Sequence, residues 1–135
     1  MKKYAGVLVR FDNKCLLCKR STGQPMGGEW SIPAGHLEEN ESPRDGARRE
    51  FYEETDKTIG TLKFAGLIKR YNREAKKVKG LMYVYLLEVD QEIQPDLVNA
   101  MDGEEHTDWG YFELKDISAE KSGEYMHKIA EIVLQ

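Results

Sequence analysis

The chain opens on an alternation of apolar and polar positions. Within residues 3–11, Val7, Val9 and Phe11 recur at every second position, the period of a half-buried strand, and Asp12-Asn13 supplies a turn. Residues 14–20 then read as the returning strand of a hairpin. Residues 21–29 hold three glycines and a proline, show no period, and read as a loop. Trp30-Ser31-Ile32 is a short strand stopped by Pro33, which opens into Ala34-Gly35-His36. Two further strands are expected over residues 62–71 and 78–89, joined by the polar, basic stretch 72–77. Residues 91–103 are irregular, and 110–114 form a last short strand. Over residues 120–134, Met126, Ile129, Ala130 and Val133 are spaced to dock a helix on the sheet.

The clearest helix start lies between these strands. Ser42 can cap, Pro43 suits the first helical position, and Asp45 stands where a capping-box acid belongs. This helix is expected to run to Asp56 or Thr58, with Gly60 available for its exit. The order of hairpin, helix, strands and helix points to an α/β sandwich with a mixed sheet. No repeat or linker divides residues 1–135, which are read as one domain.

Charge narrows the function classes. Twenty basic against 24 acidic side chains leave a net charge of −4, the wrong balance for a nucleic-acid-binding module. A small phosphate ligand stays open, because bound cations can supply positive charge locally. No apolar run approaches the roughly 18 residues that a membrane span needs, and the start lacks a secretory pattern, so a cytoplasmic protein is expected. Cys15 and Cys18 form a lone C-x-x-C on a strand; with no second pair for zinc, they read as reduced, partly buried thiols.

The chemistry is concentrated on the first helix. Glu50, Glu53 and Glu54 fall three and four residues apart, so all three project from one face, with Gly46 one turn earlier leaving space above them. Ala47, Phe51 and Thr55 form an adjacent stripe that can pack on the sheet. Like charges at this spacing repel by roughly 0.2–0.5 kcal/mol per pair, and a divalent cation removes that penalty while using the oxygens. Arg49, one turn before Glu53, is placed to orient or partly neutralise an acid.

Gly35, Glu41, Arg49, Glu50, Phe51, Glu53 and Glu54 stand in register with G-x5-E-x7-R-E-U-x-E-E-x-G-U, in which U is a bulky aliphatic or similar residue. This arrangement resembles the Nudix box, and residues 28–34 resemble the family's lead-in to it. Asp56 and Lys57 depart from the box's last glycine and aliphatic residue. Neither departure removes a carboxylate. Residues 105–112 resemble the segment that in many members carries a further acid; Glu105 is the choice here, Glu104 the alternative.

The resemblance implies a Nudix-type α/β/α sandwich with a mixed central sheet, and a hydrolase cutting a phosphoanhydride bond in a nucleoside-diphosphate-linked compound. Mg²⁺ or Mn²⁺ is expected on Glu50, Glu53, Glu54 and Glu105 with the carbonyl of Ala34 or Gly35. Glu50 or Glu105 would accept a proton from water, while Arg49 and Glu41 would hold the carboxylates in place. Arg20 and Arg70 are candidates for phosphate contact, as are Arg73 and Lys79. Tyr83, Tyr71 or Trp109 could stack on a base. His36 reads as a solvated side chain and His127 as structural. Nucleoside or deoxynucleoside triphosphates are the favoured substrates, ahead of dinucleoside polyphosphates and nucleotide sugars; a non-cleaving nucleotide sensor is the rival. The partner expected is a small nucleotide, not nucleic acid or membrane. A homodimer is compatible with the sequence, which leaves oligomeric state open.

Overall fold

The structure is a computed structural model in which residues 1–23, 27–71, 77–117 and 126–133 are described. Strands β1 (Lys2–Phe11) and β2 (Lys14–Arg20) form the expected hairpin, turning at Asp12 with a φ of 53°. β3 (Trp30–Ser31) and β4 (Ala34–His36) flank Pro33, so the segment after the proline is a strand as well. Helix α1 (Pro43–Thr55) follows, then β5 (Lys63–Tyr71), β6 (Val78–Val89), β7 (His106–Glu113) and helix α2 (Met126–Val133).

β7 begins four residues earlier than the sequence pattern suggests. Its first residues do not alternate, and their place is fixed by pairing: Cys18 faces Trp109, Lys19 faces Asp108, and Arg20 faces His106 after a register shift. Tertiary pairing overrides a weak local signal here. The α1 exit also differs from expectation. Asp56 itself takes the left-handed conformation, φ 60° and ψ 24°, and its N–H donates to the Tyr52 carbonyl at 2.9 Å. Gly60 has no positive φ and does not end the helix.

The sheet is mixed and splits. β1 and β2 are paired at Arg10–Cys15 and Phe11–Lys14 and then diverge. β1 runs on between β4 and a parallel β6, which carries β5 at its far side. β2 runs between β3 and β7. Alternation sends Ala5, Val7, Val9 and Leu16 toward Ala47 and Phe51 of α1. Leu8, Cys15, Leu17, Ile68 and Val84 face the other way, toward Met126 and Ile129 of α2. The result is the expected α/β/α sandwich, with a cleft where the two wings of the sheet part.

Candidate active site

The N-terminus of α1 is built as its sequence dictates. The Ser42 hydroxyl accepts from the Asp45 N–H, and Pro43 sits where its missing N–H costs nothing. The phase set there buries Ala47, Phe51 and Glu54 and brings Glu50 to the wall of the cleft. Residues 91–103 close the other end of the helix. The Asp96 N–H donates to the Thr55 carbonyl at 2.8 Å and the Asp102 N–H to the Glu53 carbonyl at 2.7 Å, satisfying last-turn carbonyls. Tyr111 on β7 anchors this irregular segment, its hydroxyl bonding both the N–H and the carbonyl of Ile93.

Arg49 organises the acids. Its Nε donates to Glu41 Oε2 at 2.8 Å, and its Nη2 donates to Glu41 Oε1 and to the His36 carbonyl. Nη1 reaches Glu50 Oε1 and Glu53 Oε2, each at 3.0 Å. Glu41 also accepts from the Glu38 N–H, so the loop before the helix is tied to the same cluster. The Arg49 hydrogen bonds hold the Glu41 carboxyl below the usual range despite its burial. Gly46 makes room differently from expectation: a Cβ there would run into the Leu37 side chain and the Glu41 carboxylate, not into open space above the three acids. Gly35 is demanded by Glu50, whose carboxylate occupies the position a Cβ would take.

Behind this clamp further carboxyl groups crowd together. Glu54 is 1% exposed, and its Oε2 has no hydrogen-bond partner. Burial, then the neighbouring Glu50 and Glu105 carboxylates, push its pKa well above the ordinary carboxylate value, against the pull of Arg20. Burial likewise lifts Glu50 to about 7 in spite of Arg49. Glu105 is raised by burial and by Asp102. Acids that hold protons this tightly are short of positive charge. Their hard oxygen donors fit Mg²⁺ or Mn²⁺, and the orphaned Glu54 oxygen fits a ligand atom awaiting its cation. Among the described residues, no three His, Cys, Asp or Glu side chains already converge on one point. Arg49 holds oxygens of Glu50 and Glu53, so a cation would share or displace that grip.

A cavity of about 370 Å³ opens on these groups. Glu50, Asp102, Glu105, Arg20, Ala34 and Gly35 lie along one part of it. Tyr4, Ile32, Met82, Met126 and Ile129 give it an apolar wall, beside which Arg70 sits 4.4 Å above the Tyr4 ring. His36, exposed as expected, meets the same Tyr4 ring at a tilt of 44°, with the centroids 4.4 Å apart.

Most of the anticipated residues therefore meet at one cleft: Arg20, Ala34, Gly35, Glu50, Arg70 and Glu105 line it, and Glu41, Arg49, Glu53 and Glu54 stand around it. Tyr83 is brought elsewhere. On β6 it is one residue out of phase with Met82 and packs on the α1 face with Phe64. Trp109 likewise packs on the α1 face, against Tyr111, and Lys79 is exposed. Glu104 is exposed, its carbonyl taken by the Ser21 hydroxyl. Arg73 and the side chains of Tyr71 and His127 lie outside the described residues. Asp102, Tyr4 and Met82 went unanticipated. Asp102 lies in a segment without periodicity, and the other two needed the phase of each strand face.

Against known proteins, a NUDIX domain model matches residues 2–131. A MutT-like protein of Streptomyces ambofaciens is 36% identical over 69 residues, 51% of this chain and 42% of that protein. An 8-oxo-dGTP diphosphatase of Proteus vulgaris is 40% identical over 50 residues, 37% of this chain and 45% of that protein. The chain thus matches less than half the length of these curated relatives. The crystal structure of a MutT NUDIX hydrolase from Burkholderia pseudomallei shares the fold, with a TM-score of 0.81 over 98% of this chain and 97% of that one at 20% identity. No helix among the described residues is long and apolar enough to cross a membrane. With the domain model matching almost end to end and the box acids gathered around Arg49, the chain belongs to the Nudix family.

Proposed function

We propose that this domain hydrolyses a phosphoanhydride bond in a nucleoside-diphosphate-linked substrate, with nucleoside or deoxynucleoside triphosphates favoured. The observation that carries the reading is Glu54: a buried carboxylate with an unpartnered oxygen, set among Glu50, Asp102 and Glu105 beside a cavity of about 370 Å³. Glu50, Glu53 and Glu54, with the Ala34 or Gly35 carbonyl, would hold Mg²⁺ or Mn²⁺. A cation held there supplies positive charge that polarises phosphoryl oxygens and stabilises the departing phosphate.

The chain's own groups do the rest. Arg20, at the acidic part of the cavity, receives a phosphate. Arg49 and Glu41 keep Glu50 and Glu53 in place. Glu105 lines the cavity with its pKa raised by burial, while Arg49 holds Glu50, which supports Glu105 over Glu50 as the group that takes the proton of the attacking water. The apolar wall of Tyr4, Ile32 and Met82 receives the base. Triphosphates are favoured because the Proteus vulgaris relative is named a diphosphatase of one. The compartment we infer is the cytoplasm.

The experiment is a panel of nucleoside triphosphates, dinucleoside polyphosphates and nucleotide sugars with Mg²⁺ or Mn²⁺, read by release of nucleoside monophosphate. Wild type should turn over at least one triphosphate, and Glu54→Gln should lose that turnover by orders of magnitude while keeping its circular dichroism spectrum. Equal rates for the two proteins would remove Glu54 from the reaction.

A further inference from the structure

His106 is the first residue of β7, next to Glu105, at the point where the β2–β7 ladder shifts register. Its neighbours Thr107 and Asp108 are exposed, yet the His106 side chain is 1% exposed, as is that of Glu54, and Nε2 lies 3.8 Å from Glu54 Oε1. The pair leaves two buried polar atoms without hydrogen-bond partners, Glu54 Oε2 and His106 Nδ1. Polar atoms left so are unfavourable to the fold, and functional sites are where such exceptions are found.

Of the two ring nitrogens of His106 it is Nε2 that faces Glu54, and an N–H there turns the positive end of its bond toward Oε1. At 3.8 Å the contact is one of charge and dipole, longer than a hydrogen bond. The other groups acting on Glu54 are Glu50, Glu105 and Asp102, which repel its charge, and Arg20, which the substrate phosphate would engage.

We propose that His106 is a positioning residue for the cation site: its Nε2–H stabilises charge on Oε1 of Glu54 and fixes the carboxylate so that Oε2 is left for the cation. This rests on Glu54 being a metal ligand, as argued above. Groups that orient a ligand from behind are worth about 10–100-fold in metal affinity.

The test measures Mn²⁺ binding to the full chain without nucleotide, by calorimetry and electron paramagnetic resonance, in wild type, His106→Leu, His106→Gln and His106→Asn. The Gln amide reaches about as far as Nε2, whereas the Asn amide stops near Nδ1. Leu and Asn should bind Mn²⁺ about 10-fold or more weakly, and Gln should stay within about 3-fold of wild type. Equal affinity throughout, or a loss in Gln as deep as in Asn, overturns the positioning role; if Leu fails to fold, the Asn and Gln pair still decides. A wild type that binds no Mn²⁺ overturns the proposed function with it. Binding abolished by Glu54→Gln and untouched at position 106 overturns the positioning role alone.

Discussion

Arg49 grips Glu41 through two nitrogens, Nε to Oε2 at 2.8 Å and Nη2 to Oε1 at 3.0 Å, across eight residues of chain. Its remaining nitrogen is thereby aimed at Glu50 and Glu53. One planar fork thus ties the loop before α1 to two of the three acids on it. A lysine offers a compact charge and cannot span the same four contacts. Arg49→Lys should lower stability by about 1–2 kcal/mol and turnover by roughly 10–100-fold. Calorimetry and a nucleotide assay check both, and an unchanged melting temperature would refute the clamp.

The same acids make the metal-free protein sensitive to pH. Burial raises Glu50 to about 7, so between the unfolded value of roughly 4.3 and about 7 the folded chain binds a proton that the unfolded chain releases. That contribution is complete at low pH and is lost as pH rises through 7. Glu54, raised by burial and by Glu50, acts in the same sense. His106, lowered to about 4 by burial, opposes them until its unfolded imidazole, with a value of roughly 6.5, has lost its proton. From pH 6.5 to 8 Glu50 by itself should remove about 0.8 kcal/mol of stability, and His106 should return about 0.4 kcal/mol. Chemical denaturation in a chelator should show that decline, and Glu50→Gln should flatten it.

The sequence carried the start of α1 and the acids on it because those signals are local. Ser42 and Pro43 set the phase of the helix, and spacing alone then places Glu50, Glu53 and Glu54. What it did not carry depends on pairing across the sheet. Tyr83 and Met82 are adjacent half-buried residues of β6, and nothing local says which faces the cavity; the parallel pairing with β1 decides it. His106 carries no local sign of burial, since its burial comes from β2 and Glu54. Asp102 is positioned by one N–H bond to the end of α1, a contact without sequence signature.

Asp56 is where this chain departs from the Nudix box without giving up the geometry. It holds φ 60° with a side chain, a conformation that costs an L-residue roughly 1–2 kcal/mol and Asp rather less. Asp56→Gly removes that crowding but frees the unfolded chain, which takes back about 0.4–1 kcal/mol. A net gain of about 0.5 kcal/mol is expected, against a loss of more than about 1 kcal/mol for Asp56→Val. Melting temperatures of the two variants should therefore move in opposite directions. A more stable Val variant would mean that the helix ends elsewhere.

The two cysteines should behave as packing groups. Cys15 and Cys18 are fully buried on β2, and an offset of three along a strand sends them to opposite faces of the sheet, so they cannot close a disulfide. Burial pushes the Cys15 thiol up to about 12 and Cys18 higher still, with Glu54 and Asp108 adding to the latter. At pH 7.5 almost no thiolate exists at either position, and the thiolate is the species that alkylates. Native protein should therefore react with iodoacetamide only as fast as it opens, while the denatured chain takes up two labels promptly. Mass spectrometry over a time course distinguishes these. Labelling of native Cys15 at the rate of a free peptide thiol would show that β2 is not held between β1 and β7 as described.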